Sequence, residues 1–231
     1  MTDRAVIFDL FGTLIDNFSY QEHDEVLTAM AAVLGVRRAD FARLWYAIFK
    51  DRAIGIFATT EANIKHCCQT LGVGVEEQQV ASAAVIRVAL TQRYLQPRPG
   101  ILPVLQQLRE KGYKIGLISD CSSEVVNLWP TTPFVQCIDV AIFSCEVGTK
   151  KPDPAIYLLA CQRLGVGPQE CLYVGDGGSQ ELAGAAAAGM HSVLIGGDSD
   201  TDDDLNTIDA EVWTGPRIST IEGVLTLIEL R

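Results

Sequence analysis

Four acids, one lysine and one hydroxyl stand just beyond short apolar runs of this sequence. Asp9 closes AVIFD, Ser119 and Asp120 close YKIGLISD, and Lys151 follows DVAIF. Asp176 closes CLYVGD, with Glu181 five residues on. Singly, each has a plain use as a turn residue, a helix cap or a solvated side chain. Together they describe one chemistry. Two carboxylates, Asp9 and Asp176, with a backbone carbonyl nearby suit a hard, octahedral Mg²⁺. Lys151 can hold a negative substrate group and offset the charge of Asp9. Ser119 and the backbone N–H groups of Leu10, Phe11 and Gly12 can donate to developing oxyanions. Asp9, held against metal and lysine, is then a nucleophile able to form a covalent intermediate. Leu10, Phe11, Gly12 and Asp120 are the expected substrate-binding positions.

Positioning such a set requires a sheet. The runs at 5–9, 113–119, 139–143, 171–175 and 192–195 are short, apolar and bounded by glycine or polar residues, as strands buried on both faces should be. Amphipathic stretches separate them. GILPVLQQLREKGY places Leu102, Leu105 and Leu108 on one stripe. PAIYLLACQRLG has Asp153 as N-cap, Pro154 in its first turn and Gly165 as its stop. The alternation predicts an α/β fold, a doubly wound parallel sheet with a Rossmann-like core, whose ligands sit beyond the carboxyl ends of the strands. Residues 16–97 break the rhythm with four helical patterns, at 23–36, 39–54, 60–72 and 76–95, and no strand. They read as a helical-bundle cap domain inserted into a core of residues 1–15 and 98–231, with hinges at 16–19 and at PRPG, 97–100.

The 231 residues are 48% apolar and 20% charged, with a net charge of −11. That balance describes a globular protein and argues against nucleic acid as a partner, since a phosphate backbone demands a basic face. The excess lies outside the insertion, which carries eight basic and nine acidic residues. Part of it is GDSDTDDD at 197–204, which reads as a solvated loop, because a calcium loop needs glycine where Asp203 stands. Seven cysteines without C-x-x-C spacing indicate neither a disulfide framework nor a zinc site. No membrane span or signal peptide is visible, so a cytoplasmic protein acting on a small molecule is expected. The oligomeric state is not legible.

The chain resembles the haloacid dehalogenase-like hydrolase superfamily over nearly its whole length. FDLFGTLID is similar to the first family motif, GLISD to the second, KPDPAIY to the third and VGDGGSQELAGAAAAGM to the fourth, in the family's order and spacing. The resemblance implies Asp9 as nucleophile, Ser119 and Lys151 as phosphate binders, and Asp176 as a Mg²⁺ ligand. It also implies the backbone carbonyl of Phe11 as a metal ligand. Glu181, at a position more often aspartate, is expected to act through a water.

Phe11 is the departure. Family phosphatases usually carry a second aspartate there as general acid and base, a contribution of about 10²–10⁴ in rate. Three readings follow. The first is a Mg²⁺-dependent hydrolase of small phosphorylated substrates, because the acidic fourth motif is intact. The second is a metal-independent 2-haloacid dehalogenase, which Phe11, Lys151, Tyr157 and RLWYAIF suit, although Tyr46 replaces the halide-binding arginine. The third is a phosphate-pocket binding protein with little turnover. The phosphonoacetaldehyde hydrolases, which also lack the second acid, use a Schiff-base lysine in the insertion; Lys50 and Lys65 are the candidates here, and a solvated side chain is the better reading of each. Substrate selection is expected from the loop at 52–60.

Overall fold

The computed structural model describes residues 4–196 and 213–229; the acidic run at 197–204 lies outside them. Six strands form one parallel sheet: β1 (Ala5–Phe8), β2 (Lys114–Ser119), β3 (Val140–Phe143), β4 (Cys171–Gly175), β5 (His191–Ile195) and β6 (Arg217–Ile218), in the order β3-β2-β1-β4-β5-β6. The five expected strands are present within a residue or two. The two-residue β6 is an addition, too short to leave a pattern. The chain builds outward from β1 through β2 and β3, then returns to the other side of β1 for β4. A crevice therefore opens beyond the carboxyl ends of β1 and β4, where the direction of winding reverses. Phe8 lies beside both Leu117 and Val174. The residues after β1, β2 and β4 are thus brought to one edge.

Alternation along the central strands fills both faces of the sheet. Val6, Phe8, Leu117 and Val174 pack with Val104, Leu105 and Leu108. Ile7, Ile118 and Tyr173 pack with Ile156, Tyr157 and Leu164 on the other side. These partners lie on α6 (Ile101–Glu110) and α9 (Pro154–Leu164). The stripe of α6 differs from expectation: Ile101, Val104, Leu105 and Leu108 are buried and Leu102 is half-buried, because a stripe at i, i+3, i+4 and i+7 faces the sheet better than i+3 steps alone. On α9, the Asp153 side chain accepts from the Ala155 amide and Gly165 closes the helix in a left-handed conformation, as the sequence predicts.

Residues 20–94 hold only helices among the described residues: α1 (Tyr20–Leu34), α2 (Arg38–Ala47), α3 (Phe49–Ala53), α4 (Thr60–Thr70) and α5 (Glu77–Tyr94). Of these, α1, α2, α4 and α5 share a separate apolar cluster that includes Leu27, Met30, Phe41, Trp45, Ile64 and Val80. The helix expected at 39–54 is two helices, broken at Ile48, whose φ of −94° and ψ of 15° leave the helical region. A side chain stabilises the break, since the Trp45 carbonyl near the end of α2 accepts from Nη1 of Arg52. The two links to the sheet are fastened together. Arg98 donates its amide to the Leu14 carbonyl at 3.0 Å and Nη1 to the Gly12 carbonyl at 2.8 Å, and its Nε lies 3.0 Å from Asp16. Three shorter helices complete the core: α7 (Ser123–Leu128), α8 (Ser144–Val147) and α10 (Glu181–Ala187), before the last helix, α11 (Gly223–Glu229).

Candidate active site

Asp9 follows β1 by one residue and keeps its amide on the ladder, donating to the Val174 carbonyl at 2.9 Å. Its buried carboxylate meets Lys151, with Nζ 2.5 Å from Asp9 Oδ1 and 2.5 Å from Glu181 Oε2. Glu181, the first residue of α10, is fully buried. It accepts from the Tyr173 hydroxyl at 2.7 Å and the Gly177 amide at 3.0 Å, while its own carbonyl accepts from Tyr157 at 3.0 Å. Asp176 accepts from the Gly178 amide at 3.0 Å and from Asn17 Nδ2 at 3.1 Å. Oxygens of Asp9, Asp176 and Glu181 all lie within 4.8 Å of one another.

Two glycines make this density possible. A Cβ on Gly12, at φ +75°, would stand 1.9 Å from Asp176 Oδ2, and one on Gly175 would stand 2.0 Å from Glu181 Oε1. Only a bare Cα lets the chain pass so close to each carboxylate.

The expected residues converge, with differences of detail. Ser119 is fully buried at the end of β2. Asp120 accepts from the Lys151 amide at 3.0 Å and pairs with Lys150 at 3.1 Å, so it holds the lysine loop as well as lining the cavity. Phe11 packs against Phe18, ring centres 5.0 Å apart and planes tilted by 39°. Sequence reasoning missed Asn17, Tyr173 and the structural use of Tyr157. The signal for Tyr173 was available: a hydroxyl in a buried strand needs a partner, and Glu181 is the acid that its face can reach.

A cavity of about 350 Å³ opens above these groups. Asp9, Phe11, Asp120, Lys151 and Asp176 line its floor; Phe18, His23, Tyr46, Phe49, Arg52 and Arg87, from the helical insertion, line its roof. Here the structure narrows one expectation and agrees with another. From the loop at 52–60 only Arg52 reaches the cavity, because the wall is built from helix faces. Neither Lys50 nor Lys65 reaches it; Lys65 pairs with Glu77 at 2.7 Å.

The floor is electrostatically incomplete. Burial, then Glu181, push the Asp9 carboxyl well above the usual carboxylate range despite Lys151. Burial, then Glu181, push Asp176 up to about 7. Burial opposes the Lys151 ammonium, but Asp9 and Glu181 outweigh it and hold the lysine well above its usual range. Three carboxylates with one ammonium leave two negative charges when all are ionised. A divalent cation fits that deficit, and the hard oxygen donors suit Mg²⁺.

A parallel sheet with acids at its switch point and a lysine between them defines a class, and comparison with known proteins agrees. A family model described as haloacid dehalogenase-like hydrolase matches residues 4–189, and the chain belongs to that family of hydrolases. It is similar to glyceraldehyde 3-phosphate phosphatase of Methanopyrus kandleri, 37% identical over 128 residues, covering 54% of each chain. It is also similar to (S)-2-haloacid dehalogenase 4A of Burkholderia cepacia, 26% identical over 83% of this chain and 82% of the other. The chain spans about half the length of the first curated relatives it matches. The fold is that of 2-haloacid dehalogenase from Pseudomonas syringae pv. Tomato DC3000, with a TM-score of 0.73 over 99% of both chains at 22% identity.

Proposed function

We infer that this chain hydrolyses a small phosphorylated substrate with Mg²⁺, through a covalent intermediate on Asp9. The observation that carries the reading is a cluster of three carboxylates, two of them buried against one lysine and the third half-buried beside them, two charges short of balance. A dehalogenase that works without metal has no need of that deficit. Asp9, Asp176 and the Phe11 carbonyl would hold Mg²⁺, with Glu181 acting through a water. When bound, the metal neutralises charge on the transferring group and keeps Asp9 ionised. An Asp9 carboxylate oxygen attacks phosphorus and the bond to the leaving oxygen breaks. Lys151, Ser119 and the amides of Leu10, Phe11 and Gly12 hold the phosphoryl oxygens.

Proton transfer is the weak part. The roof offers no substitute for the missing aspartate. Burial, then Arg87 and Arg52, pull the His23 imidazole down to about 3, so it is neutral and a poor base. Burial raises the Tyr46 hydroxyl above its usual range. The leaving group must therefore depart unprotonated, which favours aryl or acyl phosphates, and water attacks the aspartyl phosphate without a base.

The helical insertion, residues 16–97, acts as a cap over the core of residues 1–15 and 98–231, excluding water and selecting the substrate. Seven free thiols suit a reducing, cytoplasmic compartment. One observation favours the second reading, a metal-independent 2-haloacid dehalogenase: the aromatic Phe11, since halide leaves without a proton. Calorimetry with Mg²⁺, and turnover of an aryl phosphate and a 2-halopropionate with and without Mg²⁺, separate the two. Mg²⁺ binding with Mg²⁺-dependent aryl phosphate turnover supports the first. Metal-independent halide release overturns it.

A further inference from the structure

The roof of the cavity holds more positive charge than its own residues balance. Arg52 and Arg87 are 5% and 6% exposed. Arg87 Nε donates to Glu124 Oε1 on α7 at 2.9 Å, while its Nη1 has no partner among the described residues. Arg52 has no carboxylate within ion-pair distance among the described residues. Its Nη1 donates to the Trp45 carbonyl, its guanidinium carbon lies 4.4 Å from the centre of the Trp45 ring, and its Nε has no partner. Burial, then Arg87, pull the Arg52 guanidinium down to about 10, which leaves it charged at neutral pH. Two cations against Glu124 leave one positive charge, at a depth where an unmatched charge and idle N–H donors are costly.

We propose that Arg52 and Arg87 form a carboxylate-binding subsite, so that the substrate has two anionic ends: a phosphoryl group at Asp9 and a carboxylate at the arginines. The proposal rests on the phosphohydrolase reading of Asp9. A carboxylate is the matching anion because it carries one charge, whereas a second phosphate dianion would leave surplus negative charge beside Glu124. With Arg52 Nη1 on Trp45 and Arg87 Nε on Glu124, the Nη2 groups are left, and one from each arginine can donate a charge-assisted hydrogen bond to a carboxylate. A cavity of about 350 Å³ limits the substrate to a few carbons between its ends.

The test measures binding in the Asp9→Asn background, with Mg²⁺, by calorimetry. The probes are 2-phosphoglycolate, ethyl phosphate, which has no carboxylate, and ethylene glycol bisphosphate. Phosphoglycolate is expected to bind about 30-fold more tightly than ethyl phosphate, the worth of charge-assisted hydrogen bonds to a buried cation. Arg52→Met should reduce that ratio to about threefold or less. Arg87→Met/Glu124→Leu, which removes the pair together and leaves no orphaned charge, should reduce it as well. A ratio near one in the Asp9→Asn protein, or an unchanged ratio in both arginine variants, overturns the subsite. Tighter binding of the bisphosphate overturns the choice of carboxylate. If neither phosphate probe binds, but free glycolate binds in a manner lost on Arg52→Met, the subsite stands and the phosphohydrolase reading fails.

Discussion

The floor and the roof of one cavity each bury charged groups, and those groups are opposite in sign. Below, two carboxylates share a single ammonium and a third stands beside them, and each is tethered by at least one backbone or side-chain donor. Above, one of two guanidiniums pairs with the single carboxylate, the other has none, and a donor on each is without a partner. Water cannot balance either end cheaply at this depth. On the readings proposed above, a cation would complete the floor and an anion the roof. The contrast teaches that the two ends of the site lack opposite charges, so ligands that supply them would stabilise the folded chain as well as serve its function.

The sharpest break in this contrast is at Asp9. Asp9→Asn keeps the shape of the floor and removes the attacking oxygen's charge, and aryl phosphate turnover should fall by about 10⁴ or more. Residual activity within tenfold of the unmutated rate would mean that another group attacks. At the roof, Arg87→Met leaves Glu124 buried without its cation, and chemical denaturation should show a loss of about 3–5 kcal/mol. Arg87→Met/Glu124→Leu should recover most of it. Asp176→Ala removes one hard ligand from the floor, and Mg²⁺ affinity by calorimetry should drop at least about 100-fold.

Two smaller effects sharpen the same comparison. Phe11→Asp supplies the missing acid, and alkyl phosphate turnover should rise about tenfold, with little gain on an aryl phosphate whose leaving group needs no proton. Fast alkyl turnover by the unmutated protein would show that another residue delivers the proton. His23 reports on the roof's charge. Its folded value of about 3 lies below the unfolded 6.5, so its contribution to stability is complete above pH 6.5 and is lost as pH falls towards 3. His23→Asn should flatten the stability profile between pH 6 and 5 by about 1 kcal/mol per pH unit.

The floor was largely legible in the sequence and the roof was not. Asp9, Ser119, Asp120 and Asp176 lie at or just beyond strand ends, and parallel topology alone brings those ends together. Strands buried on both faces also announce themselves as apolar runs, so β1 to β5 could be read while β6, with two residues, could not. Arg52 and Arg87 sit on separate helices 35 residues apart in the sequence, and helical periodicity assigns a lone arginine to solvent. Their convergence depends on how the helices cross, which no local pattern encodes. The break at Ile48 was hidden similarly, because the Arg52 donor that stabilises it comes from the next helix. Gly12 and Gly175 read as ordinary turn and strand-end residues until the carboxylates beside them were placed.

The fastening of Arg98 to Leu14 and Gly12 bears on how this chain could have diversified. The polypeptide departs from the sheet near residue 14 and returns at 98, one hydrogen bond away. A segment whose ends already meet can be lengthened, shortened or exchanged without pulling on the strands it interrupts, and the entropic penalty rises only with the logarithm of its length. Drift and recombination can therefore rework the bundle that chooses the substrate, while the strand that carries Asp9 keeps its place.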